Sequence, residues 1–291
     1  MDRLRGAGGL CGESAELRLA SASIHRGEEP PISGRGGSGT IFVTGCGLGC
    51  SFCQNHQISR HGMGRAVSPA GFAAIALALR DAGAENINIV TGTHAAPAIA
   101  AGLDLAREGG LDIPVLWNSS AYESESTLDL LRDRVDVYLP DLKTLDPRVG
   151  ARFFRASDYP RHAAAAILQM LSFRGELRWK HSVKDLDTVQ DNNKADAASE
   201  PAPVLAQGLI IRHLIIPGYL ESTREVIAWF QHHARGRALL SLMTQYTYCD
   251  GGETAHAAPQ RYLSREEYER VLEWLAEYGI EEGFYQEPMP G

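Results

Sequence analysis

Residues 40–59 read TIFVTGCGLGCSFCQNHQIS, a short apolar run followed by three cysteines in a C-x-x-x-C-x-x-C pattern. Ile41 to Thr44 is bounded by turn residues, which is typical of a buried strand in a parallel sheet. Cys46, Cys50 and Cys53 therefore follow the carboxyl end of a predicted strand.

The spacing of these thiols favours an iron-sulfur cluster over a zinc ion. Three thiolates lack the fourth ligand of a closed tetrahedral zinc site, whereas a [4Fe-4S] cluster with three protein ligands leaves one iron open. Gly45, Gly47 and Gly49 allow positive φ values and keep side chains away from such a cluster. A zinc knuckle or chance clustering of cysteines stays the alternative.

Outward from the loop, the chain alternates predicted strands with predicted helices. In the first unit, Ser68-Pro69 begins a helix after the loop and Gly83 ends it. In each later unit a predicted strand is followed by a predicted helix: 87–90 by 97–107, 115–117 by 124–132, 135–139 by 159–171, 209–216 by 222–234, and 238–243 by 264–278. Six such units predict a parallel sheet with right-handed crossovers, too few for a closed eight-stranded barrel.

Several segments resemble one known family. Phe52 precedes the last cysteine of the loop, and the flanking matches are GSGTIF, QNHQIS, NINIVTGTH, YLPDLK and IRHLIIPG. From about Gly27 to the C-terminus the chain resembles radical S-adenosylmethionine (SAM) enzymes, in the branch related to the pyruvate formate-lyase activating enzyme. The resemblance implies an α/β fold, an open (β/α)6 partial TIM barrel with the cluster loop after the first strand.

Two regions depart from the repeating pattern. Residues 1–39 are predicted to form a Gly-rich N-terminal extension, in which only 16–25 reads as an extended segment, and residues 40–291 form the radical SAM domain. Residues 176–207 are polar and read as a flexible insertion, either a plain surface loop or a lid or partner contact. Cys11 is expected to be an unpaired thiol in a loose tail, and Cys249 a structural or incidental one.

Polar residues at the predicted strand ends are the candidates for binding SAM, because barrels of this kind carry their chemistry on that face. After the second strand the wider superfamily often has an acidic residue, where this chain has Thr91 and Thr93 instead. We expect the two threonines to take that role, and His94 to be a hydrogen-bonded loop residue.

The remaining candidate contacts come from the resemblance. It places Asn118, Ser119, Asp141 and Lys143 near the SAM carboxylate and ribose, and Phe52, Arg212 and Ile215 near SAM. It also implies a monovalent cation in some relatives, although Asn118 here replaces a carboxylate.

Side-chain directions along the strands give three further expectations. Asp141 and Lys143 lie two apart and project to one side, so they form an ion pair or meet a zwitterionic ligand. Arg212 and His213 alternate in direction, so one of them faces the barrel lumen. Gln245 and Tyr246 either shape the substrate mouth or pack ordinarily.

Composition limits the possible partners. The net charge of -8 argues against nucleic acid, which requires clustered Lys and Arg. The apolar stretches are shorter than the roughly 20 residues that span a bilayer, and the N-terminus lacks a signal core. The five cysteines, three in one loop, suit a reducing compartment, so we expect a cytoplasmic protein with no membrane partner.

The resemblance implies an enzyme that reductively cleaves SAM to a 5′-deoxyadenosyl radical, with flavodoxin or ferredoxin as electron donor. Its target is either a glycine of a partner enzyme or a small molecule, and no stretch identifies it. A protein of another class, a non-catalytic iron-sulfur or zinc-binding protein, is the alternative.

Overall fold

A computed structural model describes residues 9–182, 203–248 and 258–286. The strands are β1 Arg18–His25, β2 Ser38–Val43, β3 Arg65–Ala66, β4 Ile87–Val90, β5 Val115–Ser119, β6 Val137–Pro140, β7 Arg178–His181, β8 Pro203–Leu214, β9 Leu239–Met243 and β10 Gly283–Tyr285. The helices are α1 Pro30–Ser33, α2 His56–Ser59, α3 Pro69–Asp81, α4 Ala96–Glu108, α5 Glu125–Leu131, α6 Pro147–Phe154, α7 Tyr159–Arg174, α8 Leu220–His233 and α9 Arg265–Glu277.

The sheet has the order β10-β9-β8-β6-β5-β4-β2-β1-β3. From β2 to β10 its neighbours are parallel, and β1 joins β2 antiparallel. The predicted α/β fold with an open, mostly parallel sheet is confirmed. The six predicted strands are β2, β4, β5, β6, β8 and β9, and β10 adds a parallel strand that the sequence pattern did not indicate.

Helices cover the outer face of this sheet because their apolar faces need a partner surface. Ser68 caps α3 by accepting a hydrogen bond from the Gly71 amide, and Pro69 occupies the first turn. Phe72 of α3 is fully buried, and a Cβ on Gly102 of α4 would lie 2.7 Å from its ring. The absence of a side chain at Gly102 therefore allows α3 and α4 to pack closely.

The N-terminal segment packs against the barrel. The segment predicted to be extended forms β1, paired with β2 along its length. Helix α1 follows, and Ile32 joins the inner-face residues Leu116, Val137, Leu139, Leu205, Ile210 and Leu239 in one buried apolar group. Cys11 is 7% exposed, so the structure corrects its expected place in a loose tail.

Part of the stretch predicted to be an insertion, residues 176–207, is β-structure. Residues 178–181 form β7, which pairs antiparallel with the first residues of β8. Only residues 183–202 of that stretch lie outside the described part of the chain. Among the described residues, no helix is long and apolar enough to cross a membrane.

Candidate functional site

The cysteine loop leaves β2 at the carboxyl edge of the sheet through a turn that requires glycine. Gly45 has φ 91°, and a Cβ there would lie 2.5 Å from the Glu13 side chain and 2.9 Å from the Cys11 carbonyl oxygen. Gly47 is exposed and faces open space. The cysteine loop therefore contacts the N-terminal segment at Gly45, and it is exposed to solvent at Gly47.

The three thiols lie close enough to influence one another's ionisation. Burial raises the pKa of Cys46, and it raises the pKa of Cys50 to about 12. Charge on Cys46 or Cys53 raises the pKa of Cys50 further, while Lys143 lowers it. Because metal ligands are thiolates, occupation of this loop must release protons.

The donor set suits a multi-iron cluster better than one metal ion. A single zinc ion draws its thiolates to about 2.3 Å from one point. Among the described residues, no three His, Cys, Asp or Glu side chains converge in that way. A cubane offers a separate iron to each thiolate, and the partly buried Cys46, Cys50 and Cys53, on one loop with the exposed Gly47, fit that requirement.

The end of α6 holds the cysteine loop through two backbone hydrogen bonds and through aromatic packing. The Gly49 amide donates to the Phe154 carbonyl oxygen at 3.1 Å, and the Ser51 amide donates to that of Phe153 at 2.9 Å. Phe52 is buried among the rings of Phe153, Phe154 and Tyr246, at centroid distances of 6.1, 5.8 and 5.1 Å. Its role in the structure is therefore to anchor the loop.

Asp141 and Lys143 follow β6 at the same edge of the sheet. Lys143 Nζ lies 2.6 Å from Asp141 Oδ2, so the predicted pair is formed. Burial opposes the charge on Lys143, but Asp141 and Cys50 together raise the pKa of Lys143 above its usual range. The hydroxyl of Tyr159 fixes this segment by donating to the Asp141 carbonyl oxygen at 2.6 Å and accepting from the Lys143 amide at 2.9 Å.

The loop after β4 is held by a carboxylate that sequence reasoning missed. Thr91 has φ 62°, and Thr93 Oγ1 donates to Glu123 Oε1 at 2.7 Å. Trp117 Nε1 donates to the same oxygen at 3.3 Å. Glu123 is 4% exposed, and burial raises its pKa.

The sequence signal for Glu123 was its place in the loop after β5, one residue before the Ser124 cap of α5. Its carboxylate joins the loops after β4 and β5, because its partners Thr93 and Trp117 come from those two units. His94, expected to be a hydrogen-bonded loop residue, has its Nε2 2.7 Å from the Thr44 carbonyl oxygen.

Asn118 and Ser119 occupy opposite faces of β5. Asn118 shares the inner face with Leu116, whereas Ser119 is buried on the outer face, accepting a hydrogen bond from the Ala121 amide at 3.2 Å. The structure therefore brings Asn118 to the barrel mouth with Asp141 and Lys143, and it does not bring Ser119 there.

The same alternation separates the candidates on and after β8. Arg212 faces the lumen, while His213 bonds Leu142 and Thr223 on the helix side, and burial lowers the pKa of His213 to about 4. Ile215 is fully buried in the helix-facing core. Leu214 instead packs, as Cys50 does, against the aromatic group around Phe52.

Arg212 is held inside the lumen by carboxylates from the N-terminal segment. Its guanidinium bonds Glu28 Oε2 at 2.6 Å and Glu29 Oε1 at 2.9 Å. Burial opposes the charge, but Glu29 and Glu28 raise the pKa of Arg212 above its usual range. Asn88 Nδ2 donates to Glu28 at 3.0 Å, which completes a polar layer across the lumen.

The segment after β9 closes over the cysteine loop. Tyr246 is buried, its hydroxyl donating to the Pro259 carbonyl oxygen at 2.9 Å, while Gln245 is exposed. Gln54 Nε2 donates to the Gln245 carbonyl oxygen at 3.0 Å. Tyr246 thus packs in the wall of the mouth, and Cys249 lies outside the described residues.

Comparison with known proteins agrees with this geometry. Residues 40–174 match the profile of the radical SAM superfamily. An uncharacterized protein of Methanocaldococcus jannaschii is 27% identical over 273 residues, which cover 91% of this chain and 69% of the relative.

Solved structures share the fold at low sequence identity. SuiB of Streptococcus suis bound to its precursor peptide SuiA aligns with TM-score 0.55 and 15% identity over 83% of this chain, and SuiB bound to S-adenosylmethionine aligns with TM-score 0.52. The chain covers 46% of the length of the peptide-bound SuiB chain. A domain of the pyruvate-formate lyase-activating enzyme from Bacteroides vulgatus aligns with TM-score 0.43 and 13% identity over 66% of this chain.

Residues 40–174 of the chain are therefore similar to a radical SAM domain. Proteins of this superfamily use a [4Fe-4S] cluster and SAM, and the three cysteines of the loop are the residues here whose chemistry suits the cluster.

Proposed function

We propose that this chain is an activating enzyme: it cleaves SAM reductively and removes a hydrogen atom from a glycine of a partner enzyme. The position of the Asp141–Lys143 pair is the observation that supports binding and cleavage of SAM. It lies at the same sheet edge as the three thiols, with Lys143 close enough to Cys50 for each to shift the pKa of the other.

When bound, a [4Fe-4S] cluster and SAM would supply the reactive chemistry, the reductive cleavage of the SAM sulfonium bond to methionine and a 5′-deoxyadenosyl radical. The chain's own residues bind and orient. Cys46, Cys50 and Cys53 are the cluster ligands, and the amino and carboxylate groups of SAM carry the charges that Asp141 and Lys143 complement. Asn118, on the inner face beside them, offers an amide for a polar group of SAM. Thr91 and Thr93 shape the neighbouring loop, which Glu123 holds.

Two observations support a polypeptide substrate. The lower lumen is filled by the apolar group around Ile32 and, above it, by the polar layer of Glu28, Glu29 and Arg212, which leaves the mouth as the place for substrate. SuiB, which shares the fold, was crystallised with its precursor peptide. A glycine on an exposed loop could enter such a mouth, and flavodoxin or ferredoxin would supply the electron.

The first test is anaerobic reconstitution of the purified chain with iron and sulfide. We expect about four irons and four sulfides per chain, and release of methionine and 5′-deoxyadenosine from SAM in the presence of dithionite. Replacing Cys46, Cys50 or Cys53 with Ala should abolish both, while Cys11→Ala and Cys249→Ala serve as matched controls that keep them. A full cluster in the Cys50→Ala protein contradicts the assignment.

The second test addresses the substrate. Reduced enzyme and SAM are incubated with a candidate glycyl radical protein encoded in the same genome, and the mixture is examined by electron paramagnetic resonance. A doublet from a single α-hydrogen, absent when the target glycine is replaced by Ala, supports the proposal. If the candidates stay silent while a metabolite extract stimulates 5′-deoxyadenosine release, the substrate is a small molecule.

A further inference from the structure

The outer edge of β1 is unpaired along most of the strand. β3 pairs with β1 only at Arg18 and Leu19, so among the described residues no strand covers this edge of residues 21–25. Four of these five residues are exposed, which leaves the edge open to solvent. Successive residues of a strand direct their amide and carbonyl groups to opposite edges, so about half of these groups in residues 21–25 lack a partner strand. The edge can therefore accept a further strand.

A groove lies beside this edge, at the end of β1 nearest the cysteine loop. Its volume is about 340 Å³, and it is lined mainly by glycine and aliphatic residues, among them Leu19, Ala20, Ala22, Gly64, Val67 and Ile75. Thr44 lies two residues before Cys46, and its Oγ1 donates to the Met63 carbonyl oxygen at 2.8 Å. The groove therefore adjoins the segment that leads into the cysteine loop, and an apolar side chain of a strand added to β1 can enter it.

Two arginines lie at the two ends of the unpaired edge. Arg65 of β3 is opposite Leu19, and Arg26 directly follows β1. Both are exposed, and among the described residues neither guanidinium has a carboxylate partner. At about 3.4 Å per residue, the strand from Leu19 to Arg26 spans roughly 24 Å, the length of about seven extended residues. In a chain whose net charge is -8, this edge favours an acidic segment of that length.

We propose that the outer edge of β1 is a docking surface for the polypeptide substrate, which adds an extended, acidic segment to the sheet as a further strand. The backbone groups of residues 21–25 supply the hydrogen bonds, the groove takes an apolar side chain, and Arg26 and Arg65 pair with acidic side chains. The inference rests on the proposed function, since it takes the substrate to be a polypeptide. It adds where that polypeptide is held outside the barrel mouth.

A second copy of this chain fits the edge less well than an acidic segment does. Antiparallel pairing of two β1 strands about a two-fold axis brings Arg26 of each copy toward Arg65 of the other. Like charges in such positions destabilise a strand pair.

Two variants at exposed positions test the docking surface. Arg65→Glu reverses the charge at the groove end of the edge. Ala22→Trp fills the groove with a side chain that strands accept well. Arg178→Glu is the matched control, because it makes the same change in net charge in β7, where the side chain is 61% exposed. None of the three residues is a predicted cluster or SAM contact, so iron content and SAM cleavage driven by dithionite should match the parent.

The probe is a fluorescein-labelled peptide of sequence DVTVTVE, titrated with the reconstituted full chain at low salt and followed by fluorescence anisotropy. We expect saturable binding, with a Kd that rises about tenfold in Arg65→Glu and by a similar factor in Ala22→Trp, and does not change in Arg178→Glu. The peptide DVPVPVE lacks two backbone donors, and KVTVTVK carries the opposite charge. Both should bind more weakly than DVTVTVE by about tenfold or more.

Several results would overturn the docking surface. One is the absence of saturable DVTVTVE binding up to about 1 mM, and another is equal binding of DVPVPVE. Equal weakening in Arg178→Glu also overturns it, because net charge would then explain the effect. Light scattering tests the other occupant: a dimer that Ala22→Trp converts to a monomer assigns the edge to a second copy of the chain.

Failure of this inference and failure of the proposed function give different results. If DVTVTVE binds as expected and no candidate protein gives the glycyl radical doublet, the edge binds polypeptides and the proposed activity is wrong. If a candidate gives the doublet at the parent rate in both Arg65→Glu and Ala22→Trp, the activity stands and the substrate does not dock at β1.

Discussion

At the scale of single residues, the face of the strand decides which polar side chain reaches the mouth. Asn118 and Arg212 point inward, whereas their neighbours Ser119 and His213 point to the helix layer and bond there. A side chain of the right chemistry, one residue out of register, therefore contributes to packing and not to the site.

The Asp141–Lys143 pair gives a prediction at this scale. Asp141→Asn and Lys143→Met should each weaken SAM binding by about tenfold, or about 1.4 kcal/mol, because each removes one charge that complements the zwitterion. Iron content should not change. Calorimetric titration of the reconstituted protein with SAM measures the effect, with Asp104→Asn on the outer helix α4 as control.

Parent-like SAM affinity in both variants would assign Asp141 and Lys143 a structural role. The same result in only one of them would leave the other as the residue that contacts SAM.

At the scale of secondary-structure elements, short α1 and the residues before it close the lower end of the barrel. Ile32 fills the apolar floor, and Glu28 and Glu29 neutralise Arg212 above it. A buried guanidinium is costly unless it is paired and hydrogen-bonded, so this segment is needed by the barrel that follows it.

Glu29→Gln tests this role of the N-terminal segment. We expect a loss of about 2 kcal/mol in the free energy of unfolding at pH 7, because Arg212 loses one of two buried partners. Chemical denaturation measures it. Glu221→Gln, 77% exposed on α8, is the control and should change stability by less than about 0.5 kcal/mol.

The pH dependence of stability should change as well. Burial opposes the charge on Glu29, but Arg212 holds its pKa below the ordinary 4.5, so the folded state binds fewer protons than the unfolded state near that pH. The stabilisation is complete above about pH 4.5 and is lost as the pH falls through the lowered pKa. Glu29→Gln should show a shallower loss of stability on acidification, and an unchanged slope would contradict the assignment.

At the scale of the whole molecule, the sheet collects residues from distant parts of the chain at one edge. The thiols after β2, the threonines after β4, Asn118 on β5 and the ion pair after β6 lie at one edge because parallel strands end on the same side. The antiparallel β1 and β3 extend the sheet beyond β2, so residues 18–25 belong to the same sheet as the cysteine loop.

Local patterns in the sequence were sufficient to predict the repeating strand–helix units and the cluster of three cysteines. Apolar runs, caps such as Ser68 and stops such as Gly83 are short-range signals, so the predicted strands and helices overlap observed ones, most within a few residues, although β8 begins six residues before its predicted start. The strand β7 and the strand β10 were missed because their stability comes from pairing with β8 and β9, which a local pattern does not contain.

The sequence by itself determined the α/β alternation, the order of the units and the three cysteines, since each depends on residues close together along the chain. Only the tertiary structure decided that Glu123 holds Thr93, that Glu28 and Glu29 occupy Arg212, and that Arg155 covers Gly49. These pairs are separated by 30 or more residues, so their contacts arise when the sheet closes and fixes which faces meet. The buried carboxylates of Glu123 and Glu29 and the buried guanidinium of Arg212 need such partners, and burial is a property of the assembled molecule.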